Sequence, residues 1–340
     1  MMNVKDIVAR FQHVEGQRDN WNNHYQELAD YMLPRKADIV KKRSRGEKRM
    51  ELIFDGTALQ SVDLLSSSLH GMLTSGATPW FHLTMKDEEL GKDEEVQRWL
   101  EDSSQRMMRA FTMSNFETEV HEMYVDLVVF GTGCMFVEMD KKTLRFSTRH
   151  ISEFYVTEDQ YGMVDTVFRK YEIPARQAVQ RFGIENVGTF IQRTYEKKPD
   201  ENVEILHAVM PRADRDPTKQ DNKNMPYSSM YICLETKMIL AESGFQELPY
   251  VVPRFLKATG EVMGRSPAMV ALPDVKMLNL MSKTIIQAAQ KMIDPPLLVP
   301  DDGFLLPIRT QPGGLNFYRS GSRDTITPLQ TGANIPIGLN

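Results

Sequence analysis

Apolar positions recur at alternating intervals of three and four from the first turn of the chain. They run Val4, Ile7, Phe11, Val14, then Arg18 where the pattern reserves an apolar side chain, then Trp21, Tyr25, Leu28 and Met32. This spacing predicts helix, one long element or two, laid against the protein and ended by Pro34 rather than wound into a coiled coil. A second stripe, Leu59, Val62, Leu65, Leu69 and Leu73, predicts a helix with Asp55 as its cap and a break across residues 74–79. Trp80, Phe81, His82 and Leu83 begin an extended piece. Two more helices follow, one marked by Val96, Trp99, Leu100, Met107, Ala110 and Phe111, the other by Phe116, Val120, Met123, Tyr124 and Leu127 and closed by Gly131-Thr132-Gly133.

The period then drops to that of strands. Residues 134–139, 144–148, 154–157 and 163–170 predict a meander, so the class is α+β. Pro174 opens a helix bearing Ala175, Ala178, Val179 and Phe182, and a second helical piece runs to about Tyr195. Strands at 203–210, 230–235, 238–242 and 251–255 follow, with a polar loop at 212–224, as a small β-rich insertion between helices. No repeat of 20 to 50 residues is visible.

The longest helical pattern lies between Gly264 and Pro300. Ser266 can cap it, Pro267 suits its first position, Pro273 imposes a kink or a restart, and Pro295-Pro296 ends it. From Asp274 to Ile293 it would be about 30 Å long. Leu278, Met281, Ile285 and Met292 form a stripe suited to packing on a neighbouring helix. Lys276, Lys283 and Lys291 recur every seven or eight residues on a polar stripe with Asn279 and Gln287. From spacing alone that lysine row is a solvated face before it is a functional one.

Composition narrows the function classes. A chain of 340 residues with 41% hydrophobic positions supports two or three ordinary cores, and a net charge of -5 gives no bulk attraction to nucleic acid or acidic membrane. Polyanion contact must therefore be local. Residues 35–49 hold eight basic side chains against Asp38 and Glu47, and Lys41, Lys42, Arg43, Arg45, Lys48 and Arg49 make that loop a second candidate contact. Two cysteines, Cys134 and Cys233, offer neither a disulfide framework nor a metal cluster. No signal-peptide core and no apolar run of membrane-spanning length occurs, so export and membrane partners are not expected. The 22 methionines suit adaptable packing.

Catalytic motifs are missing. Gly131-Thr132-Gly133 lacks a third glycine and follows a helix, the seven histidines have no metal-ligand spacing, and no phosphate loop or nucleophile elbow is present. Asp301-Asp302 before Gly303 reads as a turn. We expect no enzyme activity, no catalytic or metal site and no cofactor.

Three blocks together resemble the head-to-tail connector, or portal, proteins of short-tailed bacteriophages. They are residues 21–36 (WNNHYQELADYMLPRK), residues 53–83 (IFDGTALQSVDLLSSSLHGMLTSGATPWFHL), and the run from GRSPAMVALPDVKMLN to PPLLVPDDG around Pro267 and Pro296. Shorter pieces agree, among them Ser114-Asn115-Phe116 and Phe130-Gly131-Thr132-Gly133. The resemblance implies a portal fold with a wing at 1–173, stem helices at 174–200 and 264–295, a clip at 201–263, and wing and tunnel strands at 296–340. It implies a structural subunit of a ring, typically a dodecamer, at one capsid vertex of the virion, assembled in the host cytoplasm. Double-stranded DNA would pass through its channel. The terminase large subunit, tail adaptor and tail proteins, and major capsid and scaffolding proteins would be its partners. Lys276, Lys283 and Lys291 become candidates for the channel wall. Family members usually continue well past a point like Asn340, so a truncated subunit is expected. The competing expectation is a nucleic-acid-binding protein that forms no ring and uses the 35–49 loop.

Overall fold

The computed structural model describes residues 3–42, 46–87, 89–140, 143–216, 218–219, 221–298 and 327–328. The chain divides into two units, residues 1–52 with 56–272, and residues 53–55 with 273–340.

In the first unit the N-terminal seam is two helices, α1 (Val4–Gln17) and α2 (Asp19–Met32), meeting at Arg18. Asn3 caps α1 through its side chain. Ile7, Val8, Phe11 and Val14 are all buried, against Tyr155, Phe168, Leu206, Ala208 and Met210 of a sheet. Each side chain of that size contributes about 1.5–3 kcal/mol when fully buried. Arg18, at the position the spacing reserves for an apolar residue, is itself only 4% exposed. Its guanidinium donates to the carbonyls of Ile151 and Phe154 and lies 4.4 Å from the Tyr155 ring centroid. Hydrogen bonds and aromatic faces thus replace the water that a buried cation loses.

Helices α3 (Thr57–Leu73), α4 (Glu94–Thr112) and α5 (Phe116–Phe130) follow. Gly56, not Asp55, occupies the N-cap position of α3, without a side-chain cap. Asp93 caps α4 by accepting from the N–H groups of Glu95 and Val96. α5 ends at Gly131, whose φ of 76° is the left-handed conformation that favours glycine.

Strands β1 (Met135–Asp140) and β2 (Thr143–Thr148) pair as a hairpin, while β3 (Phe154–Glu158) and β4 (Val164–Pro174) start a different sheet. After β4 come α6 (Ala175–Phe182) and α7 (Gly188–Lys197), then β5 (Asn202–Pro211), β6 (Tyr227–Cys233), β7 (Met238–Phe245) and β8 (Tyr250–Val251). β8 joins the hairpin in the order β2-β1-β8, and the other sheet runs β3-β4-β5-β6-β7, antiparallel throughout.

Two expectations change here. The strands after residue 201 are not a separate insertion: β5 pairs with β4 over eight positions, from Val167↔Val209 to Pro174↔Asn202. Residues 174–200 form the two helical pieces that the pattern predicts, not the single stem helix that the resemblance implies. α6 and α7 are a short pair, broken at Gly183 with φ 83°, and they bury Ala175, Ala178, Phe182 and Ile191 on one face of the same sheet. The reason is covalent economy: β4 and β5 are antiparallel neighbours, and the helix pair closes the connection between their adjacent ends.

α8 (Pro267–Ile293) is continuous through Pro273, so the helix does not restart there. Its first six residues belong to the first unit. The second unit contains the remainder of α8, the short strap 53–55, and an antiparallel pair, β9 (Leu297–Leu298) with β10 (Thr327–Pro328). Among the described residues no helix is long and apolar enough to cross a membrane.

Candidate functional site

The start of α8 is held by the end of α5. Ser266 donates its hydroxyl to the Val129 carbonyl at 2.8 Å and accepts from the Met269 N–H at 3.0 Å, so one side chain caps α8 and satisfies a C-terminal carbonyl of α5. The Thr132 hydroxyl accepts from the Gly264 N–H at 2.8 Å, and the Phe255 N–H donates to the Gly131 carbonyl at 2.9 Å. Gly131 and Gly264 touch backbone to backbone. Ala268 and Leu272 complete the buried root of the helix.

Past Pro273 the helix is exposed on most sides. Leu278, Met281, Ile285 and Met292 are between 40% and 53% exposed, so among the described residues the predicted packing stripe is left partly uncovered. The residue that is buried is polar: Asn279 is 9% exposed and accepts from the backbone N–H groups of Phe54 and Asp55 at 2.7 and 3.2 Å. Lys283 Nζ lies 5.3 Å from the Phe54 ring centroid. Lys276 is half-buried and engaged, and Lys291 is exposed in the last turn. The three lysines fall within an arc of about 80° on the helix, by 3.6 residues per turn. Sequence spacing finds their common face but not the strap that shares it.

Among the described residues of the basic segment 35–49, most cations have an acidic partner within the fold. Arg35 pairs with Glu122 at 2.9 Å, and Lys36 with Glu122 at 2.7 Å and Asp126 at 2.6 Å. Lys42 pairs with Glu172 at 2.6 Å, Lys41 approaches Asp30 at 3.9 Å, and Arg49 bridges to Asp38. Lys48 is exposed, while Arg43 and Arg45 lie outside the described residues. Gln26, 5% exposed, organises the segment: its carbonyl oxygen accepts from the N–H groups of Ile39, Val40 and Lys41, and its amide donates to the Ala37 carbonyl. Burial pushes the Asp126 carboxyl up to about 6 against the opposing charge of Lys36. Burial also works to raise Glu122, but the hydrogen bond and charge of Lys36, with Arg35, hold it below the usual carboxylate range.

A cleft of about 710 Å³ lies between the end of α3 and the start of α5, where the His70 and His121 rings stand 5.5 Å apart. Two of its carboxylates are committed elsewhere, Glu119 to the Thr148 N–H and Glu122 to Arg35 and Lys36. Among the described residues no group of three or more His, Cys, Asp or Glu is arranged to hold a metal ion. The sequence points to none of Gln26, Asp126 and Asn279 as organising residues, because the partners they organise lie outside their own helices.

The family model described as bacteriophage head to tail connecting protein matches residues 4–339. The chain is 34% identical over 319 residues to the probable portal protein of Bordetella phage BPP-1, covering 92% of this chain and 57% of that protein. It is 33% identical over 300 residues to the portal protein of Salmonella phage epsilon15, covering 86% and 54%. The chain thus spans about half the length of these curated relatives. A match that starts inside α1 and continues past α8 takes in every element built above, and it makes this chain a member of the bacteriophage head to tail connecting protein family.

Proposed function

We propose that this chain serves as a portal subunit, a structural and non-enzymatic part of a ring at one capsid vertex through which DNA enters and leaves. Family membership supports the class. The observation that carries the assembly is α8 beyond Pro273: it leaves its apolar arc open and carries three lysines on another arc. Exposed apolar area of this kind calls for a covering surface, and in a closed ring the neighbouring copy supplies it. Twelve copies would then turn Lys276, Lys283 and Lys291 into sparse bands of positive charge. DNA must slide past such a wall, and few cations per turn keep counterion-release affinity low enough for that.

Within this reading residues 264–295 act as a stem helix, and 296–340 join the wing and tunnel. For the other stem helix the geometry favours α5 over residues 174–200. α5 runs directly into the Ser266 clamp, whereas α6 and α7 are short and bound to a sheet. That choice extends the clip back to about residue 132 and makes it the surface for the terminase large subunit and later for tail adaptor proteins. Capsid and scaffolding proteins would meet the wing.

Mass measurement and negative-stain imaging of the purified chain test the ring. A closed ring of about twelve copies is expected, and Leu278→Ser with Ile285→Ser should reduce it to monomers without lowering the monomer's melting temperature. A chain that stays monomeric at high micromolar concentration would sink the proposal. The competing idea of a ring-free DNA binder using residues 35–49 loses support from the ion pairs of Arg35, Lys36, Lys42 and Arg49.

A further inference from the structure

Residues 79–85 run as an extended segment laid against α4. Trp80 stacks on Phe116 at 5.8 Å with an interplanar angle of 10°, and Phe81 meets Phe111 edge-on at 6.0 Å. Phe81 and Leu83 are half-buried while His82 and Thr84 are exposed, the alternation of a strand with one face on a support. Its ladder groups are open. Among the described residues the backbone of 79–85 makes one hydrogen bond, from the Leu83 N–H to the Ser104 hydroxyl at 3.1 Å. An extended backbone left unpaired in this way is a template for a further strand.

Two clefts, of about 480 and 500 Å³, open between this segment and α4, and His82, Glu101 and Ser104 line both. Because they share those residues, the clefts form one groove with its waist at the Leu83–Ser104 contact. Phe81 and Met108 give one side of the waist an apolar wall, and Leu83 and Leu100 do so on the other. The charges of the groove are spaced and unspent. Glu101, at the waist, accepts only from the Gln105 amide at 3.5 Å among the described residues. Arg109 lines one cleft and Lys92 the other, and neither has an acidic partner among the described residues. All three are exposed, so a docking chain can reach them. Arg98 and Arg106, by contrast, are already paired along the helix with Glu94 and Asp102.

We propose that this groove receives an extended segment of a partner protein whose inward side chains read acidic, apolar, basic, apolar, acidic. Charge complementarity selects that order, since the groove presents Lys92, Glu101 and Arg109 in turn. Spacing agrees with it. Arg109 stands about 12 Å along α4 from Glu101, and a strand covers the same distance in about four residues. Four is an even number, so the acidic, basic and apolar side chains all fall on the face turned to α4. The groove belongs to a single chain, and its occupation does not depend on ring assembly.

Fluorescence anisotropy of the full chain with two labelled nonapeptides tests the assignment. The first carries Glu, Val, Lys, Val and Glu at its odd positions and Thr at its even ones; the second exchanges every Glu and Lys. The first should bind saturably and about tenfold tighter than the second, as three attractive pairs replace three repulsive ones. Bulk charge predicts the reverse order, because the chain is net -5 and the second peptide is the more positive. Glu101→Lys should weaken the first peptide about tenfold, and a peptide with Glu in place of the central Lys should recover most of that loss. Arg109→Gln should weaken it by a smaller factor. Both side chains are exposed, so melting temperatures should stay at the wild-type value. In hydrogen exchange the first peptide should raise protection within residues 79–85 and leave β5 unchanged. Absence of saturable binding, equal affinity for the two peptides, or binding indifferent to both substitutions would overturn the proposal. So would protection of 79–85 that rises with protein concentration alone, which gives the groove to a second copy of the chain.

Discussion

Gly131 and Gly264 lie so close that a methyl group on either would collide with the backbone carbonyl region of the other. The contact sits where the chain leaves α5 and returns to enter α8, and no side chain can swing away to relieve it. Gly131 also has φ 76°, where an L-residue is strained.

Gly264→Ala and Gly131→Ala should therefore each destabilise the protein by about 3 kcal/mol or more, with Gly131→Ala the worse. Gly260 is the control: its φ of 82° is also positive, but nothing lies within 4 Å of where an added methyl group would stand, so Gly260→Ala should cost only about 1 kcal/mol. Urea unfolding of the three variants checks the order. Equal losses at 260 and 264 would show that backbone conformation rather than close approach sets the cost.

Asp126 makes stability depend on pH in an unusual direction. Its carboxyl is raised from 3.8 to about 6 by burial, so the folded state binds the proton more tightly than the unfolded state. The stabilisation from this group is fully present below the unfolded value near 3.8 and is lost as pH rises through about 6. A shift of that size corresponds to about 3 kcal/mol. Asp126→Asn removes the titration, and Lys36 keeps Glu122 at 2.7 Å as a partner. The stability difference, wild type minus Asp126→Asn, should fall between pH 4 and pH 6 and then level off. A flat difference across denaturant midpoints at pH 4, 5, 6 and 7 would rule this out.

Lys36→Met probes the opposite partner. It leaves Asp126 buried with Arg35 and Glu122 nearby but no ammonium, and one Asp126 oxygen already lacks a hydrogen bond. Removing one half of a buried pair costs about 3–5 kcal/mol. The loss should be large at pH 7 and much smaller at pH 4.5, where a neutral carboxyl needs no counter-charge. Thermal melts at the two pH values read the contrast directly.

What could be read from the sequence follows the range of each interaction. Gly131 as the end of α5 and Ser266 with Pro267 as the start of α8 depend on neighbours within a few residues, and both are legible. Sheet partnership is not. Nothing between residues 174 and 202 states that β4 and β5 pair, so the β-rich segment reads as separate when it is continuous. The 35–49 loop shows the same limit in charge: its cations are visible, but Glu122, Asp126 and Glu172 become their partners only after folding. Arg18 is an exception that spacing hints at, since a charged residue at an apolar position implies a built receptor for its guanidinium.

Asn279 reads as one more member of a polar stripe, yet it is the anchor of the 53–55 strap. Asn279→Ala should leave two backbone N–H groups unpaired, at a cost of about 1–3 kcal/mol confined to the strap. Asn279→Asp keeps the acceptor and should retain most of the contact. Hydrogen exchange separates the two: the Phe54 and Asp55 amides should lose protection in Asn279→Ala while amides in the middle of α8 keep theirs. Equal protection in both variants would mean that the strap is held by something other than this side chain.

The three α8 lysines should not act equally. Lys283 spends part of its charge on the Phe54 ring and Lys276 is half-buried and engaged, whereas Lys291 is exposed at the C-terminal turn. If they line a DNA passage, Lys291→Gln should reduce the salt sensitivity of DNA retention more than Lys276→Gln, because an exposed ammonium replaces more condensed counterions. Lys283→Gln should also loosen the strap by about 0.5–1 kcal/mol through the lost cation–π contact. Neutralising all three should lower the dependence of DNA retention on salt while rings stay intact in negative stain. Intact rings whose DNA retention keeps the wild-type salt dependence would place these lysines away from the DNA path.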